Sequence, residues 1–185
     1  MEYEIQQDDA AENPRAEFDH LGTILYTSHR YLLGDRKTEV GEIHQVERDG
    51  NNIVLPVYAY IHSGVTLSTN SFGCPWDSGQ CGIIYATKED ALKWFGKDEM
   101  TPELGKLVEE TLKKEVEEFS LYLSGGVLAW VVRDSAGDIL ESVGGYYDRE
   151  CAEADAKAAL EGYLHKRGRK NEIEVTCLGE PEGAA

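Results

Sequence analysis

Before residue 88 the apolar residues cluster in short runs rich in β-branched and aromatic side chains. Leu21 to Thr27, Ile53 to Ile61, Val65 to Thr69 and Cys81 to Thr87 each read as a strand. Turn signals separate them: Asp49-Gly50-Asn51-Asn52, then His62-Ser63-Gly64, then a loop from Asn70 to Gln80. Pro56 inside the second run argues for an edge position or a bulge. Residues Lys37 to Gly50 are polar, with an alternation at Val40, Ile43 and Val46.

After residue 87 the period lengthens. Thr87 caps a short helix to about Phe95, and Gly96 ends it. Thr101-Pro102-Glu103 supplies a capping hydroxyl, a proline for the first turn and an acid at the positive helix end. Leu104, Leu107, Val108, Leu112, Val116, Phe119 and Leu123 then recur at spacings of three and four, which predicts one long helix ended by Gly125-Gly126. Val127–Val132 and Ile139–Val143 flank Asp134-Ser135-Ala136-Gly137 and predict a hairpin. Asp148 opens a helix to about His165, with Ala152, Ala156, Leu160 and Leu164 inward, and Glu172 to Leu178 alternates as a final strand. Strands and helices do not alternate as βαβ units. The expectation is an α+β fold: an antiparallel or mixed sheet with about three helices packed mainly on one face. Residues 1–17 read as an acidic flexible arm, 18–178 as one domain and 179–185 as a loose tail.

Charge narrows the function classes. The 185 residues carry 35 Asp and Glu against 18 Lys and Arg, a net −17. Direct nucleic-acid binding needs clustered cations on the phosphates, so it is excluded as an expectation, and adsorption to an anionic membrane is disfavoured. No apolar run reaches the roughly 20 residues that span a bilayer, and no signal-peptide hydrophobic stretch opens the chain, so a cytoplasmic protein is expected. Cys74, Cys81, Cys151 and Cys177 are read as reduced thiols; their spacing offers no zinc motif, and no metal or cofactor is expected.

Chemistry-bearing residues gather in the Asn70–Gln80 loop. Cys74 as nucleophile, with His62 or His29 as base and Asp77 as orienter, would make an enzyme. Trp76 as an aromatic wall, with Asp77, Ser78 and Gln80 as polar anchors, would make a ligand or peptide pocket. Cys74-Pro75-Trp76 plugging the core, with Asp77 and Ser78 bonding turn amides, would be purely structural. A second cluster, Ser28 to Asp35, offers Arg30, Tyr31 and Asp35 as binding residues. A third feature is the acid on the long helix: Glu103, Glu109, Glu110, Glu115, Glu117 and Glu118.

The strings His29-Arg30-Tyr31-x-Leu33-Gly34-Asp35, His62-Ser63-Gly64-x-Thr66 and Cys74-Pro75-Trp76-Asp77-Ser78-Gly79-Gln80-x-Gly82 together resemble an uncharacterised family carried by bacteriophages, prophages and plasmids. Leu21-Gly22-Thr23, Pro56-Val57-Tyr58 and Thr87-Lys88-Glu89 extend the likeness, so that it covers most of residues 18–164. Gly73, Cys81 and the long acidic N-terminal arm depart from it. The resemblance implies an accessory protein of a mobile element, not a reaction. Such proteins often act by binding host machinery. The acidic faces then suggest a host partner with a basic surface, such as a nucleic-acid-binding defence complex, inhibited by mimicry of DNA charge. The alternative is an enzyme or small-ligand protein built on the Cys74–Asp77 loop.

Overall fold

The computed structural model describes residues 1–177, with side chains through Arg167; the segment 179–185, expected as a loose tail, lies outside the described residues. In chain order the elements are β1 (Glu2–Gln7), α1 (Pro14–Glu17), β2 (Thr23–Tyr26), β3 (Arg36–Lys37), α2 (Val40–Arg48), β4 (Asn52–Ile61), β5 (Val65–Ser68) and β6 (Ser78–Thr87). They continue with α3 (Lys88–Phe95), α4 (Pro102–Leu123), β7 (Leu128–Arg133), β8 (Ile139–Tyr146) and α5 (Arg149–Cys177). The fold is α+β, with antiparallel and mixed sheets. The single domain expected over 18–178 is instead two compact units: Glu12–Gly126, and Met1–Ala11 joined by the chain from Val127 onward.

The larger unit holds a five-stranded sheet in the order β3-β2-β6-β4-β5, antiparallel except for the short β2–β3 pair. On one face, Ile24, Val57, Leu67 and Ile84 pack against Leu104, Val108, Leu112, Val116 and Phe119 of α4. That stripe is the predicted one except at Leu107, which is 44% exposed. Thr101 accepts a hydrogen bond from the Leu104 amide at 3.2 Å and so caps α4. Thr87 caps α3 in the same way, and Gly96 closes it in the left-handed region at φ 61°. The opposite face is covered too. Leu25 and Ile83 pack on Ile43 of α2, with Val46 beside them. Val40, Ile43 and Val46, which read as alternation, are one helical face at a spacing of three. Pro56 sits where its missing donor costs nothing. Pro56 pairs with Ile83, which faces β2 in phase with the Thr27–Cys81 bond, so Pro56 turns its nitrogen away from β6, and β5 pairs with β4 only from Tyr58 onward.

In the smaller unit, β1, β7 and β8 form an antiparallel sheet with α5 on one face. Residues 1–17 are therefore not a flexible arm. Tyr3 and Ile5 point at α5 beside Trp130 and Val132, and burying those two side chains supplies the energy that orders the strand. Asp8 ends it, accepting from the Gly145 amide at 2.8 Å. The hairpin forms as expected; Gly137 takes φ 92°, and Asp134 accepts from the amides of Ala136 and Asp138. Asp148 accepts from the Cys151 amide at 2.8 Å, which holds its carboxyl below the ordinary range. Because the folded value is the lower one, this cap contributes at neutral pH and is lost as acid protonates it. The segment from Glu172, expected as a strand, continues α5 to Cys177. A helix satisfies its own backbone groups, whereas a strand there would need a sheet neighbour.

Candidate functional site

Two strand ends and one loop make the site. β4 delivers Ile61 and then His62; the loop after β5 delivers Cys74, Trp76 and Asp77; β6 begins at Ser78. The loop is anchored at its return: the Ile61 amide donates to the Asp77 carbonyl at 2.8 Å, and the Ser78 hydroxyl donates to the Cys74 carbonyl. Phe72 packs on Tyr60, ring centroids 5.7 Å apart.

Cys74, His62 and Asp77 do converge. The Cys74 Sγ lies 3.9 Å and the His62 Nδ1 3.8 Å from the same Asp77 oxygen, Oδ2. Nucleophilic catalysis wants the base on the nucleophile and the acid behind the base. Here the carboxylate is the shared neighbour, and among the described contacts His62 and the sulfur do not meet. His29 stands elsewhere, its Nδ1 2.9 Å from Lys37 Nζ. The arrangement suits holding a cation or donor at Asp77 better than activating sulfur.

Cys81, in the next strand, is a different kind of thiol. Burial pushes it up to about 12. The thiolate is the reactive form, so iodoacetamide at pH 8 should alkylate Cys81 at least about a hundredfold more slowly than an ordinary free thiol. Peptide mapping by mass spectrometry reads this out; labelling of Cys81 in the folded protein at the rate of an exposed cysteine would contradict the protection of this half-buried thiol.

Trp76 is 92% exposed. It forms the rim of a groove of about 430 Å³ whose apolar floor is Leu33, Ala59 and Ile61 and whose polar wall is Asp77, Ser78 and Gln80. The structure therefore gathers the expected pocket residues Trp76, Asp77, Ser78 and Gln80 and leaves the aromatic ring in water. A plug in the core it is not.

The second cluster divides. Arg30 stacks over the Tyr31 ring at 5.2 Å, with Arg30 exposed. Asp35 is engaged within the fold. Its carboxylate takes a two-pronged bond from Arg15 (Nε 2.8 Å, Nη2 2.5 Å) and the Ile24 amide at 2.6 Å. Arg15 also donates to Glu115 at 3.0 Å and to the Gly22 carbonyl at 2.6 Å. Glu115 takes the Leu21 and Gly22 amides besides. Glu115, counted among the acids of the helix surface, is thus buried and internally matched, while Glu103, Glu109, Glu110, Glu117 and Glu118 are exposed. Burial alone would pull the Arg15 guanidinium down, but Asp35 and Glu115 outweigh it and hold it above its ordinary value.

The smaller unit has its own cleft, which the sequence reading did not single out. Trp130 Nε1 donates to the Tyr146 hydroxyl at 2.9 Å, and that hydroxyl donates to Asp155 at 2.8 Å. Tyr163, Glu141 and Lys166 line the same cleft. Among the described residues no group of three or more His, Cys, Asp or Glu is placed to hold a metal ion, and no helix is long and apolar enough to cross a membrane. Compared with family models, curated proteins and solved structures, the chain finds no match.

Proposed function

We propose that this chain is a binding protein that docks a partner through the Trp76 loop, and that its net −17 charge favours a partner with a basic surface. The observation that carries the reading is the Trp76 ring, 92% exposed on the rim of a groove with an apolar floor. A tryptophan left in water on an anchored loop is the residue type that dominates interface energetics once a partner covers it. The carboxylate of Asp77 beside it gives that contact a sign. The mobile-element setting, and with it a host defence complex as target, rests on the family resemblance. The strict DNA-mimic form draws less support. Lys106, Lys113 and Lys114 interrupt the α4 acids, Glu115 is turned inward, and Glu2 and Glu4 sit on a paired strand rather than a free arm.

The test is quantitative capture of partners from lysate at low and high salt, using wild type, Trp76→Ala and a Glu109→Gln/Glu110→Gln variant as baits. Trp76→Ala should weaken capture by about 2 kcal/mol, roughly thirtyfold. It should shift unfolding by no more than about 0.5 kcal/mol, since the ring packs on little. High salt should weaken capture further. Equal recovery by Trp76→Ala and wild type would sink the reading.

A further inference from the structure

The sheet is incomplete beside the Trp76 loop. β2 pairs with β6 only from Tyr26–Gly82 back to Thr23–Tyr85; one more bond, Thr27 N–H to the Cys81 carbonyl at 2.9 Å, closes the ladder. The chain then leaves at Ser28. β6, however, begins at Ser78, so its first three residues have β4 on one side and no strand on the other. The register shows which groups are left over. Tyr60 opposes Ser78, and the Ile61 amide bonds the Asp77 carbonyl, so Tyr60–Ser78 is a non-hydrogen-bonded pair. Gly79 then faces Ala59, and Gln80 turns its N–H and C=O away from β4, into the space that β2 vacates. A bulge follows at Cys81, where the register slips between Val57 and Tyr58. Gly79 and Gln80 are both exposed.

The notch has a cavity on each face of the sheet. On the α4 side is the Trp76 groove of about 430 Å³. On the α2 side is a hollow of about 410 Å³ lined by Val40, Ile43, His44 and Glu47. Thr27, Gln80 and Cys81 line both, so the two cavities back onto the same stretch of β6. A strand sends successive side chains to opposite faces. An extended peptide continuing the line of β2 would therefore drop alternate side chains into the two cavities while its backbone pairs with Gln80. Each cavity offers one carboxylate, Asp77 or Glu47, and neither is lined by Lys or Arg.

We infer that the partner is engaged by strand addition: an extended segment bearing basic side chains pairs antiparallel with the free start of β6, antiparallel to Ser78–Gln80. This rests on the reading of the Trp76 loop as a docking site and names the partner's form. Main-chain bonds would supply affinity and the two cavities selectivity.

The probes are fluorescein-labelled heptapeptides: one alternating Lys and Val, one alternating Glu and Val, and the Lys/Val peptide N-methylated at alternate amides. Anisotropy with the full chain measures affinity. The Lys/Val peptide should bind at least tenfold more tightly than the other two, and at saturation it should slow hydrogen exchange of the Gln80 amide at least tenfold. Gln80→Pro removes the amide that faces the notch, a place where proline fits a strand, and should weaken binding at least tenfold. Equal binding of the N-methylated peptide, no binding of the Lys/Val peptide, or full binding by a folded Gln80→Pro variant overturns strand addition; should that variant fail to fold, the N-methylated peptide decides alone. Loss with Trp76→Ala but not with Gln80→Pro leaves the docking loop standing and removes the strand. Loss with neither removes both.

Discussion

Arg15→Met should destabilise the larger unit by about 3 kcal/mol, although Arg15 lies in a stretch that reads as an acidic flexible arm. The Arg15 side chain is 4% exposed and sits between Asp35 and Glu115, whose side chain is 7% exposed. Removing the guanidinium leaves Glu115 with two backbone amides and only the His20 ring, its Nδ1 4.0 Å away, as a neighbouring cationic group, and leaves the Gly22 carbonyl without its donor. Breaking a buried pair from one side costs more than the pair contributes, because the remaining charge has lost water and partner together. Glu115→Gln in the Arg15→Met background should recover part of the loss, since a neutral amide is cheaper to keep in that place. Urea unfolding followed by circular dichroism measures both. A cost of Arg15→Met below about 0.5 kcal/mol, the range of an ordinary surface change, would mean that the segment before β2 is not docked at all.

The contrast between α4 and this segment shows what patterning can carry. α4 repeats its apolar stripe over 22 residues and advertises its cap in Thr101-Pro102, so its identity and inward face are readable. The hairpin is readable for the same reason at period two. α1 has four residues, fewer than two turns, so no period exists to detect. β1 shows only Tyr3 and Ile5 among polar residues, and its order depends on β7, some 120 residues away in sequence. α2 hid because a spacing of three satisfies neither strict alternation nor a full helical stripe. At the site, the composition of the Cys74–Gln80 loop marked it out, since Trp, Cys, Pro and Gly rarely crowd a solvent loop without purpose. What the loop residues face was not legible. Asp35 looks like a ligand in sequence and is a partner of Arg15 in space. Glu115 looks like one more surface acid, and only the helical phase, one residue before Val116, hinted that it turns inward. The opening beside β6 depends on where β2 stops, a tertiary fact with no local signature.

Two glycines three positions apart in the same motif should respond oppositely to alanine. Gly82→Ala should cost about 3 kcal/mol or more, whereas Gly79→Ala should be neutral or stabilising by up to about 0.5 kcal/mol. A Cβ on Gly82 would lie 1.9 Å from the Leu25 carbonyl oxygen and 3.0 Å from the Leu25 carbonyl carbon and the Tyr26 Cα. All three are backbone atoms, so no side-chain rotation relieves the clash. β2 would have to withdraw from β6, loosening the ladder that keeps Ile24 and Leu25 fully buried. A Cβ on Gly79 meets nothing within 4 Å. Its backbone is not in the left-handed region, so alanine there mainly restricts the unfolded chain. Chemical denaturation of both variants checks the contrast, and equal stabilities would refute the close β2–β6 approach. The pair also separates fold from site. Gly82 fixes where β2 lies against β6, and therefore where the free edge at Gln80 begins. Gly79 sits on that edge with open space beside it. A variant that keeps the stability of wild type but fills the space at Gly79 with a larger side chain acts only on what enters from outside.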